Sequence, residues 1–386
     1  TPNVAPDKMR DVSRPRGCGE GMRSQRVSWL LVSVLSCLCT AFGPPVLTDS
    51  DVFRRTLTVH QIRSMYELPV PELSAASALL VNTTTGQMLY AHNEHQRRAP
   101  ASLVKMMTAM VALQRGRQDQ GIIIRRQDLK PGSTASLQNG EKLWLRELLF
   151  VLLLASDNAA SMTIARGLAG DGQVFVKWMN DLAGSWGLKD THFANPHGLD
   201  HEDGYSTAYD MAILASYAMS DRTFAEIVGC SEAYVAGHWL ESTNELLTTY
   251  PGTIGVKTGT TEGAGECLVT VVERASGKML SVVMGSQDRV LDARLLLDYA
   301  YGNFAEIRID LPDTPQNRYL SENHNWRQFG LRRPVTLLVS PWQVPSVSFY
   351  RRIDNILDSP DPEVPVGALE VALAGRYSTE VPIYLK

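Results

Sequence analysis

Residues 99–109 read APASLVKMMTA, a loop that runs into a helix with a serine at the junction. Pro100 suits a first helical turn, and apolar residues follow at helical spacing over 106–113. Ser102 is therefore expected near the positive end of a helix. Lys105 lies three residues further on and shares the same helix face, so its amine can reach back to the serine hydroxyl.

The pair of Ser102 and Lys105 predicts an activated nucleophile. A hydroxyl is a poor nucleophile at neutral pH unless a base takes its proton, and a lysine serves as that base only where its pKa is lowered. Burial or nearby positive charge lowers a lysine pKa, and Lys257 is expected to supply the second charge. Taken alone, the same spacing also fits a solvated helix face.

Residues 156–158 read SDN and link two predicted helices, 145–154 and 158–168. Residues two apart in an extended link project the same way, so Ser156 and Asn158 would face one cleft. Ser156 suits proton transfer to a leaving amine, and Asn158 suits hydrogen bonding of a substrate amide. The alternative is a plain helix cap, since Ser, Asp and Asn are all good caps.

Residues 257–259 read KTG at the end of a short β-branched run, and residues 267–273 are predicted to form the next strand. Lys257 and Thr258 would offer a cation and a hydroxyl to a substrate carboxylate. Gly259 would let the substrate backbone come close. An ordinary hairpin with a surface lysine is the alternative for this string alone. In this order, the three strings match the signature of class A β-lactamases and penicillin-binding proteins.

The region from about residue 71 to residue 301 resembles the serine-type D-alanyl-D-alanine carboxypeptidases, the low-molecular-weight penicillin-binding proteins of peptidase family S11. The resemblance extends beyond the trio to RAPASLVKMMTA at 98–109, NPHGL at 195–199, YSTAYDM at 205–211 and GVKTGTT at 255–261. It implies a bacterial cell-wall hydrolase that removes the terminal D-alanine from peptidoglycan stem pentapeptides. β-Lactam antibiotics would inhibit it, and no metal or other cofactor is expected.

The resemblance also assigns roles within the site: Ser102 is acylated, Lys105 is the general base, Ser156 is the proton shuttle, and Asn158, Lys257, Thr258 and Gly259 bind the substrate. The backbone N–H groups of Ser102 and Thr260 would form the oxyanion hole, where they stabilise charge that exists only in the transition state. An arginine after the last hairpin strand completes the substrate site. Arg289 is the choice for it, and Arg294 is the alternative.

Three rival functions remain open from the sequence: a D,D-endopeptidase of peptidoglycan cross-links, a β-lactamase and a catalytically inactive peptidoglycan-binding module. A β-lactamase of class A would need an added carboxylate base. The nearest candidate, ESTN at 241–244, lacks the Leu of the Glu-x-x-Leu-Asn pattern. His197 stands in a turn of Asn, Pro and Gly, which favours a structural role.

Residues 1–49 are predicted to be a leader, or an N-terminal membrane anchor with its linker. Arg23 and Arg26 precede an uncharged stretch from Val27 to Leu47, and CTA at 39–41 resembles a cleavage site. The length of the stretch would also allow an uncleaved anchor that contacts the membrane. Both versions place the enzyme in the periplasm or on the outer face of the cell membrane.

The predicted fold class is α/β. A β-lactamase/transpeptidase-like catalytic domain at 50–305, an antiparallel sheet with flanking helices and a helical subdomain, precedes a small all-β domain at 306–386. The first hairpin, with strands at 75–81 and 87–91, is expected to pair with the strand that bears Lys257.

Composition and cysteine usage add two expectations. The chain of 386 residues is 44% hydrophobic with a net charge of −4, and it shows no basic stripe for a nucleic acid. Two cysteines, Cys230 and Cys267, fall in the exported part, where they could pair. We expect two free buried thiols instead, because Cys267 begins an apolar strand.

Overall fold

The computed structural model describes residues 69–129, 135, 137–320, 324–354, 363–373 and 376–386. Its strands are, in chain order, β1 (Ser77–Asn82), β2 (Met88–His92), β3 (Gly121–Ile123), β4 (Lys142–Trp144), β5 (Glu232–Val235), β6 (His238–Glu241), β7 (Thr253–Thr261), β8 (Gly265–Arg274), β9 (Gly277–Ser286), β10 (Ala305–Ile309), β11 (Arg318–Leu320), β12 (Trp326–Gly330), β13 (Val335–Val339), β14 (Val347–Ile353), β15 (Gly367–Leu373) and β16 (Arg376–Leu385). The α-helices are α1 (Val104–Arg115), α2 (Leu145–Leu153), α3 (Asn158–Ala169), α4 (Gly172–Ser185), α5 (Ala208–Ser220), α6 (Arg222–Val228), α7 (Leu246–Thr249) and α8 (Arg289–Asn303).

The main sheet has the order β2-β1-β9-β8-β7, and all its neighbouring strands are antiparallel. Helix α8 packs against β8 and β9, while α5 packs against β1 and β9. Alternate residues of β8 enter two separate cores, Val269 and Val271 in one and Leu268 and Val272 in the other. The inner strands are apolar on both sides because both faces of the sheet are covered. Strand β7, which carries residues 257–259, is the edge strand beside the turn of Ser102.

The first hairpin forms as predicted, as β1 and β2, but its expected pairing with the strand of Lys257 is wrong. Strand β1 pairs with β9, from Ser77 opposite Met284 to Asn82 opposite Met279. Strands β7, β8 and β9 follow one another along the chain through short turns and pair in that order. Strand β8 therefore occupies the inner side of β7, and the open edge of β9 is left for β1.

Helices α1 to α4 pack on one another and form the helical subdomain. The predicted helices at 145–154 and 158–168 are confirmed as α2 and α3. Almost every residue of α2 is buried, which explains why its sequence is apolar around the whole helix. An ion pair of 2.6 Å between Arg166 Nη2 and Oδ2 of the buried Asp128 joins α3 to the 3-10 turn that follows β3.

The C-terminal part is built from strands, as predicted. Strands β10 and β13 form a pair, and five further strands form a sheet of order β11-β12-β16-β15-β14. This region has its own core, to which Phe329, Leu369 and Ile383 belong. The fold class is confirmed: an α/β unit with a helical subdomain precedes a β region. Strand β10 begins at Ala305, and the domain bounds at 305 and 306 stay predictions.

The expectation of two free thiols holds for Cys267 and is wrong for Cys230. Cys267 is a free, fully buried thiol on β8, and burial raises its pKa, which keeps it in the unreactive thiol form. Cys230 is disulfide-bonded, and Cys267 is not its partner. Spacing along the sequence carries no information about which thiols meet in space.

The predicted leader at residues 1–49 lies outside the described residues. Within the described ranges, no helix has both the length and the apolar character that a membrane span requires. The cleavage or anchoring of the N-terminal segment stays a prediction.

Candidate active site

Ser102 lies in a 3-10 turn, Ala101–Leu103, that leads directly into α1. Ala101 has a φ of +48°, a conformation that few residues other than glycine adopt. Gly198, itself at φ +87°, packs so closely on the Ala101 carbonyl that a Cβ at this position would overlap it. The NPHGL turn therefore fixes the backbone that presents the serine.

Lys105 lies one helical turn after Ser102 and its side chain is completely buried. Its Nζ is 2.7 Å from Ser102 Oγ, 2.8 Å from Asn158 Oδ1 and 3.5 Å from Ser156 Oγ. Burial lowers the pKa of Lys105 from 10.5 to about 7, although the nearby Asp157 acts in the opposite direction. A large fraction of the amine is therefore neutral at physiological pH, with a lone pair that can accept the serine proton.

The link between α2 and α3 is not the extended segment that the sequence predicts. Ser156 has a φ of +57°, in the left-handed region, and Asp157 is the N-cap of α3. The Asp157 carboxylate accepts hydrogen bonds from Ala160 N at 2.8 Å and from Ala135 N at 3.1 Å. The capping role falls to Asp157, and this frees Ser156 and Asn158 to reach Lys105 from the two sides of the cap.

Lys257 lies on β7 and is 1% exposed. Its Nζ donates to the Thr258 carbonyl at 2.9 Å. Burial lowers the pKa of Lys257 well below its usual value, and the positive charges of Lys105 and Arg289 lower it further. The sequence predicts that Lys257 lowers the pKa of Lys105. In the structure the electrostatic effect falls on Lys257, while burial lowers the pKa of Lys105.

Gly259 lies directly against the turn of the serine. A Cβ at this position would be 2.8 Å from Ser102 N and 3.2 Å from Leu103 N. Any larger residue would push β7 away from the nucleophile. A glycine is therefore needed here for the close packing of the edge strand on Ser102. The sequence suggests a second role, the close approach of the substrate backbone.

The rest of the substrate side is formed by two threonines of β7 and by the first residue of α8. Thr258 is buried, and its Oγ1 is 2.5 Å from Thr243 Oγ1. Arg289 Nη1 donates to Thr260 Oγ1 at 2.7 Å, and it also approaches the Gly259 carbonyl at 3.4 Å. Arg294, the alternative, donates instead to the Thr249 carbonyl.

These groups share one cleft of about 280 Å³. Its lining consists of Ser102, Ala155, Ser156, Asn158, Leu199, Thr243, Thr258, Gly259, Thr260, Thr261 and Arg289. The amines of Lys105 and Lys257 are buried beneath this lining. The structure therefore brings together all nine residues that the sequence predicts for the site, while Arg294 lies elsewhere.

Four cleft residues were not predicted from the sequence: Ala155, Leu199, Thr243 and Thr261. Ala155 and Thr261 directly adjoin predicted residues. Leu199 belongs to the NPHGL string, so its neighbourhood to the site is visible in the sequence. Thr243 stands 15 residues before its partner Thr258, and no local pattern connects the two. His197 points its Nδ1 at the Leu199 N–H, 3.1 Å away, within the turn. Glu241 is exposed, accepts a hydrogen bond from the Trp239 indole and does not line the cleft.

Known proteins resemble this chain over more than half of its length. The model of the peptidase S11 family, described as D-alanyl-D-alanine carboxypeptidase, matches residues 64–288. The chain is 32% identical over 292 residues to the D-alanyl-D-alanine carboxypeptidase DacF of Bacillus subtilis, across 72% of this chain and 71% of the relative.

Two solved structures extend the likeness to the fold. Penicillin-binding protein 6B of Escherichia coli superposes with a TM-score of 0.66 at 29% identity, covering 82% of this chain and 96% of that one. The DD-transpeptidase of Streptomyces K15 superposes with a TM-score of 0.58 at 29% identity, covering 61% of this chain and 99% of that one. The chain therefore belongs to peptidase family S11, the D-alanyl-D-alanine carboxypeptidases.

Proposed function

We propose that this protein is a serine-type D-alanyl-D-alanine carboxypeptidase and a penicillin-binding protein. It removes the terminal D-alanine from peptidoglycan stem pentapeptides through an acyl-enzyme on Ser102. The observation that carries this proposal is the 2.7 Å contact between Ser102 Oγ and a buried lysine whose pKa is about 7. Few sites in a protein lower a lysine pKa this far, and here the nucleophile is its direct neighbour.

Acylation begins when the neutral amine of Lys105 takes the proton of Ser102 Oγ. The oxygen attacks the carbonyl carbon of the penultimate D-alanine, and the oxyanion is stabilised by the N–H groups of Ser102 and Thr260. The carbon–nitrogen bond then breaks, and the leaving nitrogen takes the proton of the Ser156 hydroxyl. The Lys105 ammonium, 3.5 Å from Ser156 Oγ, returns a proton to that hydroxyl.

Substrate binding uses the remaining residues of the cleft. Asn158 holds Lys105 through its Oδ1, and its amide N–H groups suit the carbonyl of the incoming peptide. The terminal carboxylate fits between the hydroxyls of Thr258 and Thr260, next to the positive charge of Arg289. Gly259 keeps this strand close to Ser102, so that the carboxylate and the scissile carbonyl are held at a fixed separation.

Water then releases the shortened peptide, with Lys105 again as the base. A β-lactam undergoes only the acylation step readily: Ser102 Oγ attacks the lactam carbonyl, the four-membered ring opens, and a penicilloyl-enzyme forms. The β-lactamase alternative receives no support from the cleft. Its lining contains no carboxylate among the described residues, and Glu241 lies exposed outside it.

Peptidoglycan lies outside the cytoplasmic membrane, so we also propose that the chain acts there, in the periplasm or on the outer face of the membrane. This location agrees with the predicted leader at residues 1–49. Membrane contact through this segment stays part of the same proposal.

The test is a time course of the purified full chain, followed by mass spectrometry, on a stem pentapeptide ending in D-Ala-D-Ala and, separately, on benzylpenicillin. We expect release of D-alanine and a long-lived adduct of one penicilloyl group on Ser102. Ser102→Ala should lose both reactions, whereas the exposed Ser185→Ala should keep them. Rapid penicillin turnover with an intact pentapeptide would instead identify a β-lactamase, and labelling that survives in Ser102→Ala would exclude Ser102 as the nucleophile.

A further inference from the structure

We propose that Thr243 is a positioning residue that turns the hydroxyl of Thr258 toward the carboxylate of the substrate. This inference rests on the proposed function, because it concerns how the same cleft recognises a terminal carboxylate. It adds a residue that lies outside the three sequence strings, in the loop between β6 and α7.

Thr258 is buried, and its hydroxyl lies within hydrogen-bond distance of the Thr243 hydroxyl. The two Oγ1 atoms are 2.5 Å apart, and both residues line the cleft. Thr258 is only 4% exposed, so water has little access to its hydroxyl. Thr243 stands on the exposed rim, and its backbone N–H donates to the Leu154 carbonyl at 3.3 Å. This bond ties the rim threonine to the end of α2, just before Ser156.

The chemistry of the bond fixes its direction once a substrate is bound. Each hydroxyl has one proton to donate, and one of the two must donate to the other. A carboxylate carries no proton and can only accept. If Thr258 gives its proton to the carboxylate, the proton between the two threonines must come from Thr243. Thr243 therefore determines which way the buried hydroxyl points.

Thr260 shows the same arrangement with a different donor. It lies two residues after Thr258, so both hydroxyls project from one face of β7. Arg289 Nη1 donates to Thr260 Oγ1 at 2.7 Å, which leaves the Thr260 proton for the substrate. The two hydroxyls lie side by side, and each accepts a hydrogen bond from a neighbouring side chain of the cleft, Thr243 or Arg289. Both hydroxyl protons are then available to the substrate, which favours an anion over a neutral group. Thr243 and Arg289 thus have the same role: each donates a hydrogen bond to one threonine, Thr258 or Thr260, and leaves that threonine's proton for the substrate.

The experiment compares Thr243→Val, which keeps the shape and removes the hydroxyl, with Thr243→Ser, which keeps the hydroxyl. Each variant is acylated with benzylpenicillin and with its methyl ester, and is given pentapeptides that end in a free acid or an amide. We expect Thr243→Val to lower the preference for the acids roughly fivefold, the worth of about one hydrogen bond, mainly through KM. Thr243→Ser should behave like wild type, as should Thr248→Val, whose hydroxyl donates to the Glu245 carbonyl outside the cleft.

A double-mutant cycle separates positioning from direct contact. If Thr243 acts through Thr258, then Thr243→Val has no further effect in a Thr258→Val background. The proposal is overturned if that effect persists there, or if acids and neutral analogues slow equally. Acylation by penicillin does not require hydrolysis of the acyl-enzyme. It therefore tests the role of Thr243 even if the protein releases no D-alanine from pentapeptides. Absence of D-alanine release with a normal preference for the acid would overturn the carboxypeptidase assignment alone.

Discussion

The acylation rate should follow the protonation of Lys105, with a midpoint near pH 7. Burial lowers the pKa of this lysine from 10.5 to about 7. At pH 7 about half of the amine is then neutral, against roughly one part in three thousand for an unperturbed lysine. Burial thus increases the amount of active base about 1,500-fold, equivalent to about 4 kcal/mol.

The sign of the pH dependence follows from the chemistry of the base. Only neutral Lys105 can accept the Ser102 proton, so the rate falls as acid protonates it. Below pH 6 we expect about a tenfold loss of acylation rate per pH unit, and above pH 8 a plateau. Lys105→Arg should be slower by several orders of magnitude at every pH and should show no midpoint, because a guanidinium stays protonated.

The assay is the second-order rate constant for labelling by a fluorescent penicillin from pH 5 to pH 9, with thermal unfolding measured at each pH. Lys177→Arg, an exposed substitution on α4, serves as the control. A rate that is flat between pH 5 and 7, or a midpoint near pH 10, would show that buried Lys105 is not the titrating base.

Three further predictions concern stability. Gly198→Ala should destabilise the fold by more than about 1 kcal/mol in urea unfolding and slow acylation, because the new Cβ would overlap the Ala101 carbonyl. The control is Gly170→Ala, at φ +75° with open space around it, which should cost less and leave acylation unchanged. Arg166→Met should cost about 3–5 kcal/mol, because it removes the positive charge that pairs with the buried Asp128 carboxylate. A loss under about 1 kcal/mol in urea unfolding would contradict this. Lys105→Met should have a larger free energy of unfolding than wild type at pH 7, and this difference should shrink toward pH 10. Between the folded pKa of about 7 and the ordinary value of 10.5, the unfolded wild-type chain binds more protons than the folded one, so wild type gains stability as the pH rises. A difference that does not change with pH would contradict a lowered pKa for Lys105.

Much of the fold could be predicted because its elements carry local signals. The length of the apolar run at 145–154 favours a buried helix, and the β-branched residues at 335–339 favour a strand. The pairing of β1 with β9 was not predictable in this way. It depends on which edge of the sheet stays open after β7, β8 and β9 have paired. The sequence of β1 does not indicate which edge that is. The same holds for the disulfide of Cys230, which is decided by distances in space.

The residues proposed for the chemistry could be predicted because they stand in short sequence strings. The backbone around them departs from what the sequence predicts. Ala101 and Ser156 both adopt positive φ without being glycine, one on each side of Lys105. Such conformations cost energy and persist only where the surrounding packing imposes them. Here Gly198 presses on the first, and the Asp157 cap, anchored to Ala160 and Ala135, fixes the second. At these two positions the conformational cost falls where two hydroxyls, those of Ser102 and Ser156, are held near one buried amine.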